Sequence, residues 1–212
     1  MSLVGKKFPN LSVDAMNDMG DTFKVNVLEE ALNNKKKVLL FWYPKDFTFV
    51  CPTELHAFQA ALGEFEKRNT IVIGASCDTP EVHFAWLNTS KDHGGIEGVT
   101  YPILADSNRN LSSVLGILDI TNETYDEATD TIQVEGDNVT YRATYIIDEE
   151  GTVQHEGINN MPLGRNVQEF LRIIDALTHV QEKGEVCPAN WEEGKDAMQP
   201  NAKGTAEYLA TH

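Results

Sequence analysis

Residues 37–65, KVLLFWYPKDFTFVCPTELHAFQAALGEF, contain the junction that decides the fold. Lys37 to Tyr43 is a continuous β-prone apolar run closed by Pro44, the pattern of a strand buried on both faces. After a loop from Lys45 to Val50, apolar residues recur at Leu55, Phe58, Ala61, Leu62 and Phe65, which is helical spacing, and Pro52 suits a first turn. A central strand therefore feeds a short loop and then a helix that starts at Cys51 and runs on to Phe65.

The alternation continues outward. Thr70 to Ala75 reads as a second apolar strand ending near Ser76, and Pro80 opens a helix carrying Val82, Ala85, Trp86 and Leu87. Tyr141–Asp148 and Thr152–Glu156 read as two strands joined by Glu149-Glu150-Gly151, before a helix from Asn166 to Val180. This order implies an α/β fold with a mixed central sheet flanked by helices. Residues 119–140 are polar and acidic with interspersed Ile, Tyr and Val, which suits a solvated surface insert of β-hairpin character. From Glu182 the chain becomes rich in Gly, Pro and Asn, the composition of a loosely attached arm. The expected organisation is one domain over 1–180 and a C-terminal arm over 181–212.

Composition narrows the function. A chain of 212 residues that is 41% hydrophobic and 24% charged can build one sizeable core. Seventeen basic against 33 acidic side chains give a net charge of −16, which repels nucleic acid and anionic membrane surfaces, so neither is an expected partner. The apolar run Val38 to Tyr43 is too short to span a bilayer, and MSLVGKKFPN lacks the apolar stretch of a secretory signal. A soluble, cytoplasmic protein is expected.

Three cysteines, Cys51, Cys77 and Cys187, are too few and odd in number for a disulfide framework, so any disulfide should be transient and functional. No Cys-x-x-Cys pair or Cys/His cluster has zinc-ligand spacing, and metal chemistry is not expected. A free thiol with a pKa of about 8.5 is only ~3% ionised at pH 7, so a reactive cysteine needs help. At Cys51 a helix N-terminus offers unpaired N–H groups and the positive end of the macrodipole. Thr48, three residues earlier, brings a hydroxyl within reach of both the sulfur and an incoming oxygen, and Pro52 shields the thiolate.

Pro44, Thr48 and Cys51 in FWYPKDFTFVCPTEL resemble the Pro-x-x-x-Thr-x-x-Cys signature of the peroxiredoxins. Val186-Cys187-Pro188-Ala189-Asn190-Trp191 resembles the resolving-cysteine segment of the typical two-cysteine class. The likeness runs from Gly5 to about Trp191, and the class most resembled is the peroxidase subunit of bacterial alkyl hydroperoxide reductases. It implies a thioredoxin-like fold and a thiol-dependent antioxidant peroxidase that reduces hydrogen peroxide and organic hydroperoxides to water and alcohols. Carried over residue by residue, Cys51 is the peroxidatic cysteine and Cys187 the resolving one. Thr48 binds the peroxide, Pro44 shapes the pocket, Arg142 at the start of RATYIID polarises it, and Glu54 orients Arg142. The resemblance also implies homodimers joined by a Cys51–Cys187 disulfide between subunits and arranged as a ring of five dimers. The implied electron donor is thioredoxin or a flavin-linked disulfide reductase, and no cofactor is needed within the chain.

Other features stay outside this scheme. Cys77 in GASCD matches no catalytic position and reads as a structural thiol. His56, five residues along the helix from Cys51, points elsewhere, while His83 and Trp86 fit either a family segment near the site or ordinary core packing. Gly94-Gly95-Ile96-Glu97 and Tyr208-Leu209 depart from the Gly-Gly-Leu-Gly and Tyr-Phe of peroxide-sensitive relatives. Among other classes, a redox-regulated holdase or scaffold would use the same oligomer. A thioredoxin-like disulfide oxidoreductase fails because residue 54 is Glu where a second cysteine would stand.

Overall fold

In the structure, a computed structural model that describes residues 2–120 and 122–212, two strands precede the junction. These are β1 (Ser12–Met16) and β2 (Thr22–Asn26), paired antiparallel and followed by helix α1 (Val27–Asn34). The Asn26 side chain caps α1 by accepting from the Glu29 N–H. Strand β3 (Lys37–Trp42) then enters the centre with all six residues buried, five of them the apolar run Val38–Trp42 and the sixth Lys37, whose Nζ meets Glu149 Oε1 at 2.7 Å.

Helix α2 (Cys51–Ala60) starts at the cysteine with Pro52 in its first turn. The helix expected to run unbroken to Phe65 instead ends at Ala61, whose N–H is shared between the Ala57 and Phe58 carbonyls, and a second short helix, α3 (Leu62–Lys67), follows. The break re-aims the chain and brings the ring of Phe65 to 6.2 Å from that of Phe58, so one apolar stripe is served by two segments.

Strand β4 (Thr70–Ser76), helix α4 (Pro80–Leu87), the short strand β5 (Ile103–Ala105) and helix α5 (Asn110–Leu115) complete the βαβ part. Strands β6 (Asn122–Asp126) and β7 (Thr131–Glu135) form a separate two-stranded hairpin that faces solvent, the excursion expected over 119–140. Strands β8 (Arg142–Ile147) and β9 (Val153–Asn159) close the sheet as a hairpin. Its turn needs Gly151, which has φ +78°, and a Cβ there would run into Leu28.

The seven strands lie in the order β2-β1-β5-β4-β3-β8-β9, parallel across β5, β4 and β3 and antiparallel elsewhere. This is the mixed sheet expected, and it sets the carboxyl end of β3 beside the start of β8 (Phe41 opposite Thr144), where Arg142 begins its strand.

The chain divides into two compact units, residues 1–165 and 166–212, so the helix from Val167 falls with the C-terminal segment, whereas the sequence suggested a boundary after residue 180. In the second unit, α6 (Val167–Lys183) is capped by the Asn166 side chain and ends on Gly184 at φ 66°. Beyond it, Val186 pairs with Met198, Trp191 is buried with its indole N–H on the Lys195 carbonyl, and α7 (Ala202–Thr211) is capped by Asn201. The arm is therefore more structured than its Gly, Pro and Asn content suggests, because Trp191 and the Asn201 cap supply local anchors. Among the described residues no helix is long and apolar enough to cross a membrane.

Candidate active site

The loop between β3 and α2 is shaped from below by a buried polar chain. Tyr43 donates its hydroxyl to Asp46 Oδ1 at 2.7 Å, and Asp46 Oδ2 lies 2.7 Å from His83 Nδ1. His83 Nε2 sits 3.1 Å from the Leu104 carbonyl, which can only accept, so this nitrogen carries the proton. Burial raises the Asp46 carboxyl above its ordinary range, with the His83 contact opposing it, and burial raises Tyr43 likewise. The Asp46 N–H donates to Asp78 at 2.9 Å, which ties the loop to the end of β4. His83 is thus more than core packing, since it holds the loop that leads to Cys51.

On this support the loop turns sharply. Phe47 adopts φ 54° and sets its ring 5.8 Å from that of Trp86, while Phe49 is 95% exposed. Thr48 Oγ1 then lies 2.8 Å from the Lys45 carbonyl and 2.9 Å from Cys51 Sγ. The hydroxyl has a single proton. While Cys51 is a thiol, its S–H can donate to Thr48 as Thr48 donates to Lys45, and when the sulfur is ionised the hydroxyl can turn to donate to it.

Arg142 reaches the same sulfur from the first position of β8. Its Nη1 is 3.4 Å from Cys51 Sγ and 2.6 Å from Glu54 Oε2, while its Nε donates to the Met161 carbonyl at 2.6 Å. Glu54, one turn into α2, also accepts from Arg165, through the backbone N–H and Nε at Oε1 and through Nη2 at Oε2, each at 2.8 Å. Burial alone would raise the Glu54 carboxyl, yet hydrogen bonds and charge from Arg165, together with Arg142, hold it below the usual carboxylate range. One carboxylate shared by two buried guanidinium groups leaves a net positive charge beside the sulfur.

Arg165 was missed at the level of sequence. Its guanidinium lies 5.2 Å from the Phe41 ring centre and 5.8 Å from that of Phe58, and it donates to the Ala143 carbonyl and the Thr144 hydroxyl. The one available signal was Glu54 itself: an acid one turn from Cys51 on a helix that must bury its neighbours needs cationic partners.

The structure brings Pro44, Thr48, Cys51, Glu54 and Arg142 together. Pro44, Thr48 and Arg142 line a cleft of about 490 Å³, and the fully buried Cys51 lies just behind Thr48 and Arg142. Cys187 is a half-buried free thiol in the second unit, 3.7 Å from the Ala176 carbonyl, and burial raises its thiol despite the Arg172 charge. His56 turns away to the Gly95 carbonyl, as its spacing implied.

The chain is similar to known proteins over nearly its whole length. Residues 4–156 match the AhpC/TSA family, and residues 176–211 match the C-terminal domain of 1-Cys peroxiredoxin. Alkyl hydroperoxide reductase C of Helicobacter pylori is 40% identical over 98% of this chain and 96% of its own length. The chloroplastic 2-Cys peroxiredoxin BAS1 of Hordeum vulgare is 39% identical over 99% of this chain and 91% of its own. The structure of reduced 2-Cys peroxiredoxin from Plasmodium vivax superimposes with a TM-score of 0.87 at 38% identity, covering 99% of this chain and all of that one. Likeness of this extent in both sequence and structure places the chain in the AhpC/TSA family, as a peroxiredoxin with the thioredoxin-like fold and a thiol-dependent peroxidase.

Proposed function

We propose that Cys51 is the peroxidatic thiolate and Cys187 the resolving thiol. The observation that carries the first assignment is the pair of donors on one sulfur, Thr48 at 2.9 Å and Arg142 at 3.4 Å, backed by Glu54 and Arg165. The thiolate attacks the terminal oxygen of the hydroperoxide, an S–O bond forms as the O–O bond breaks, and the other oxygen leaves as alkoxide or hydroxide. Arg142 and the Thr48 hydroxyl stabilise negative charge as it passes from sulfur to the leaving oxygen, which takes a proton and departs as alcohol or water.

The product is a Cys51 sulfenic acid in a fully buried position, so the first turn of α2 must open before another thiol can reach it. Condensation with Cys187 forms the disulfide and releases water, and an external dithiol returns both sulfurs to thiols. In keeping with the resemblance of the Cys187 segment to the typical two-cysteine class, we propose that this disulfide crosses between the subunits of a homodimer, with five dimers closing a ring. Thioredoxin or a flavin-linked disulfide reductase supplies the electrons, and the cytoplasm is the setting that suits three unpaired cysteines.

The test is stopped-flow mixing of reduced protein with hydrogen peroxide, following tryptophan fluorescence. A fast phase in the wild type and Cys187→Ser, absent in Cys51→Ser, is the expected result. A wild type no faster than a free thiol sinks the assignment. Non-reducing electrophoresis after one equivalent of peroxide should give a dimer band that is missing in Cys187→Ser.

A further inference from the structure

The cleft beside Cys51 is far larger than hydrogen peroxide needs. At about 490 Å³ it falls in the range of small-molecule sites, whereas a water-sized species takes only about 30 Å³. Part of its wall comes from an unexpected place, Asp137 and Val139, in the stem of the β6–β7 hairpin. The hairpin strands themselves face solvent, but the stem is pinned on three sides. Thr140 donates to the Tyr43 carbonyl at 2.9 Å, next to Pro44, Arg109 donates to the Asn138 carbonyl at 2.9 Å, and the Asp119 N–H donates to the Val139 carbonyl at 2.8 Å. These bonds fix Val139 in the wall that also holds Pro44, Phe49 and Met161.

We propose that the stem of this hairpin is a specificity element, and that Val139, with Phe49 and Met161, receives the apolar tail of an organic hydroperoxide whose O–O bond lies at Thr48 and Arg142. Three charged side chains line the cleft: Lys45 and Arg142 are cationic, and Asp137, in the hairpin stem, is the one acid among them. Alkyl or aryl tails suit the apolar wall of Val139, Phe49 and Met161, and Asp137 opposes a carboxylate that comes to rest beside it. This inference rests on Cys51 being the reacting thiolate.

The experiment reads rate ratios in the full-length reduced protein, with cumene hydroperoxide, hydrogen peroxide and linoleic acid hydroperoxide as probes. Filling the tail site in Val139→Trp should lower the cumene-to-hydrogen-peroxide ratio by about tenfold, the scale set by steric discrimination in apolar pockets. Should that variant fail to fold, Val139→Ala tests the same contact by changing the ratio in proportion to the lost tail packing. Reversing the charge in Asp137→Lys should raise the ratio of linoleic acid hydroperoxide to cumene hydroperoxide about threefold at low salt. Ratios that stay at wild-type values in the Val139 variants overturn the proposal. If the wild type consumes none of the three peroxides, the Cys51 assignment has failed instead.

Discussion

Two cysteines of the first unit are buried and each has a hydroxyl beside it, yet the structure treats them in opposite ways. Cys51, at the start of α2, meets Thr48 at 2.9 Å and the Arg142 guanidinium at 3.4 Å. Cys77, just past the end of β4, meets Ser112 Oγ at 3.7 Å, and burial pushes its thiol up to about 11 with Ser112 only partly opposing. Burial by itself keeps a thiol neutral. What distinguishes Cys51 is a cation in contact whose own counter-charge is already divided. Glu54 answers both Arg142 and Arg165, so one positive charge is left for the sulfur to meet.

Removing Glu54 has the largest expected consequence for the Cys51 site. Glu54→Gln leaves two nearly fully buried guanidinium groups without their shared carboxylate, and breaking a buried pair from one side costs about 3–5 kcal/mol. Chemical denaturation at neutral pH should show a loss of that order. The pH dependence has a definite sign. A carboxyl held below its ordinary value contributes stability that is fully present above that value, about 4.5 in the unfolded chain, and is lost as pH falls through the lowered value. The wild type should therefore lose stability in that acid window, and Glu54→Gln should lose less. Equal acid sensitivity in both proteins would remove Glu54 from its place between the arginines.

Next in size is Arg142→Met, which deletes the cation but keeps most of the side-chain volume. The second-order rate with hydrogen peroxide should fall by about 10²–10³, the usual cost of losing one preorganised donor to developing charge. Arg142→Lys should recover little, because a single ammonium cannot serve Cys51, Glu54 and the Met161 carbonyl together. A loss below about tenfold in Arg142→Met would mean that Thr48 and the helix end carry the sulfur's charge unaided.

How much of this was legible in the chain depends on how local each feature is. The apolar run at β3, the helix start at Cys51 and the hairpin of β8 and β9 depend on neighbours in sequence, and they lie where periodicity places them. Strands β1 and β2 went unread because each has only five residues, and β2, at the sheet edge, buries only its last two and carries little pattern. Strand β5 has three residues and α5 six, too short for a period to register. In the site, Thr48 and Cys51 lie within one loop, whereas Glu54 and Arg165 meet across 111 residues and His83 meets Asp46 across 37. Such pairs exist only after the sheet has formed, and the chain shows at most one half of each, as Glu54 does without naming Arg165. The contribution of Val139 to the cleft is of the same kind, since it depends on the hydrogen bond from Thr140 to Tyr43.

The smallest expected effect is the one that tests the contrast most directly. Cys77→Ala removes a sulfur that touches Ser112, while Ser112 keeps its own bonds to Asp106 through both its backbone N–H and its hydroxyl. The peroxide rate should stay within about twofold of wild type, because no charge reaches Cys51 from that position, and stability should drop by about 1 kcal/mol for a small buried group. The thiol itself can be read in Cys51→Ser/Cys187→Ser, where Cys77 is the sole cysteine. Alkylation by iodoacetamide, followed by mass spectrometry, should be slow at pH 8 and rise as pH approaches about 11. Because the folded value lies above the ordinary thiol value of 9.0, the same group takes stability away as pH rises from there towards about 11, and has no effect below it. Labelling at pH 8 as fast as free cysteine would show that burial leaves this thiol reactive. The difference between the two sites would then have to be sought in peroxide access through the Thr48 and Arg142 cleft, and not in the charge that Arg142 brings to the sulfur.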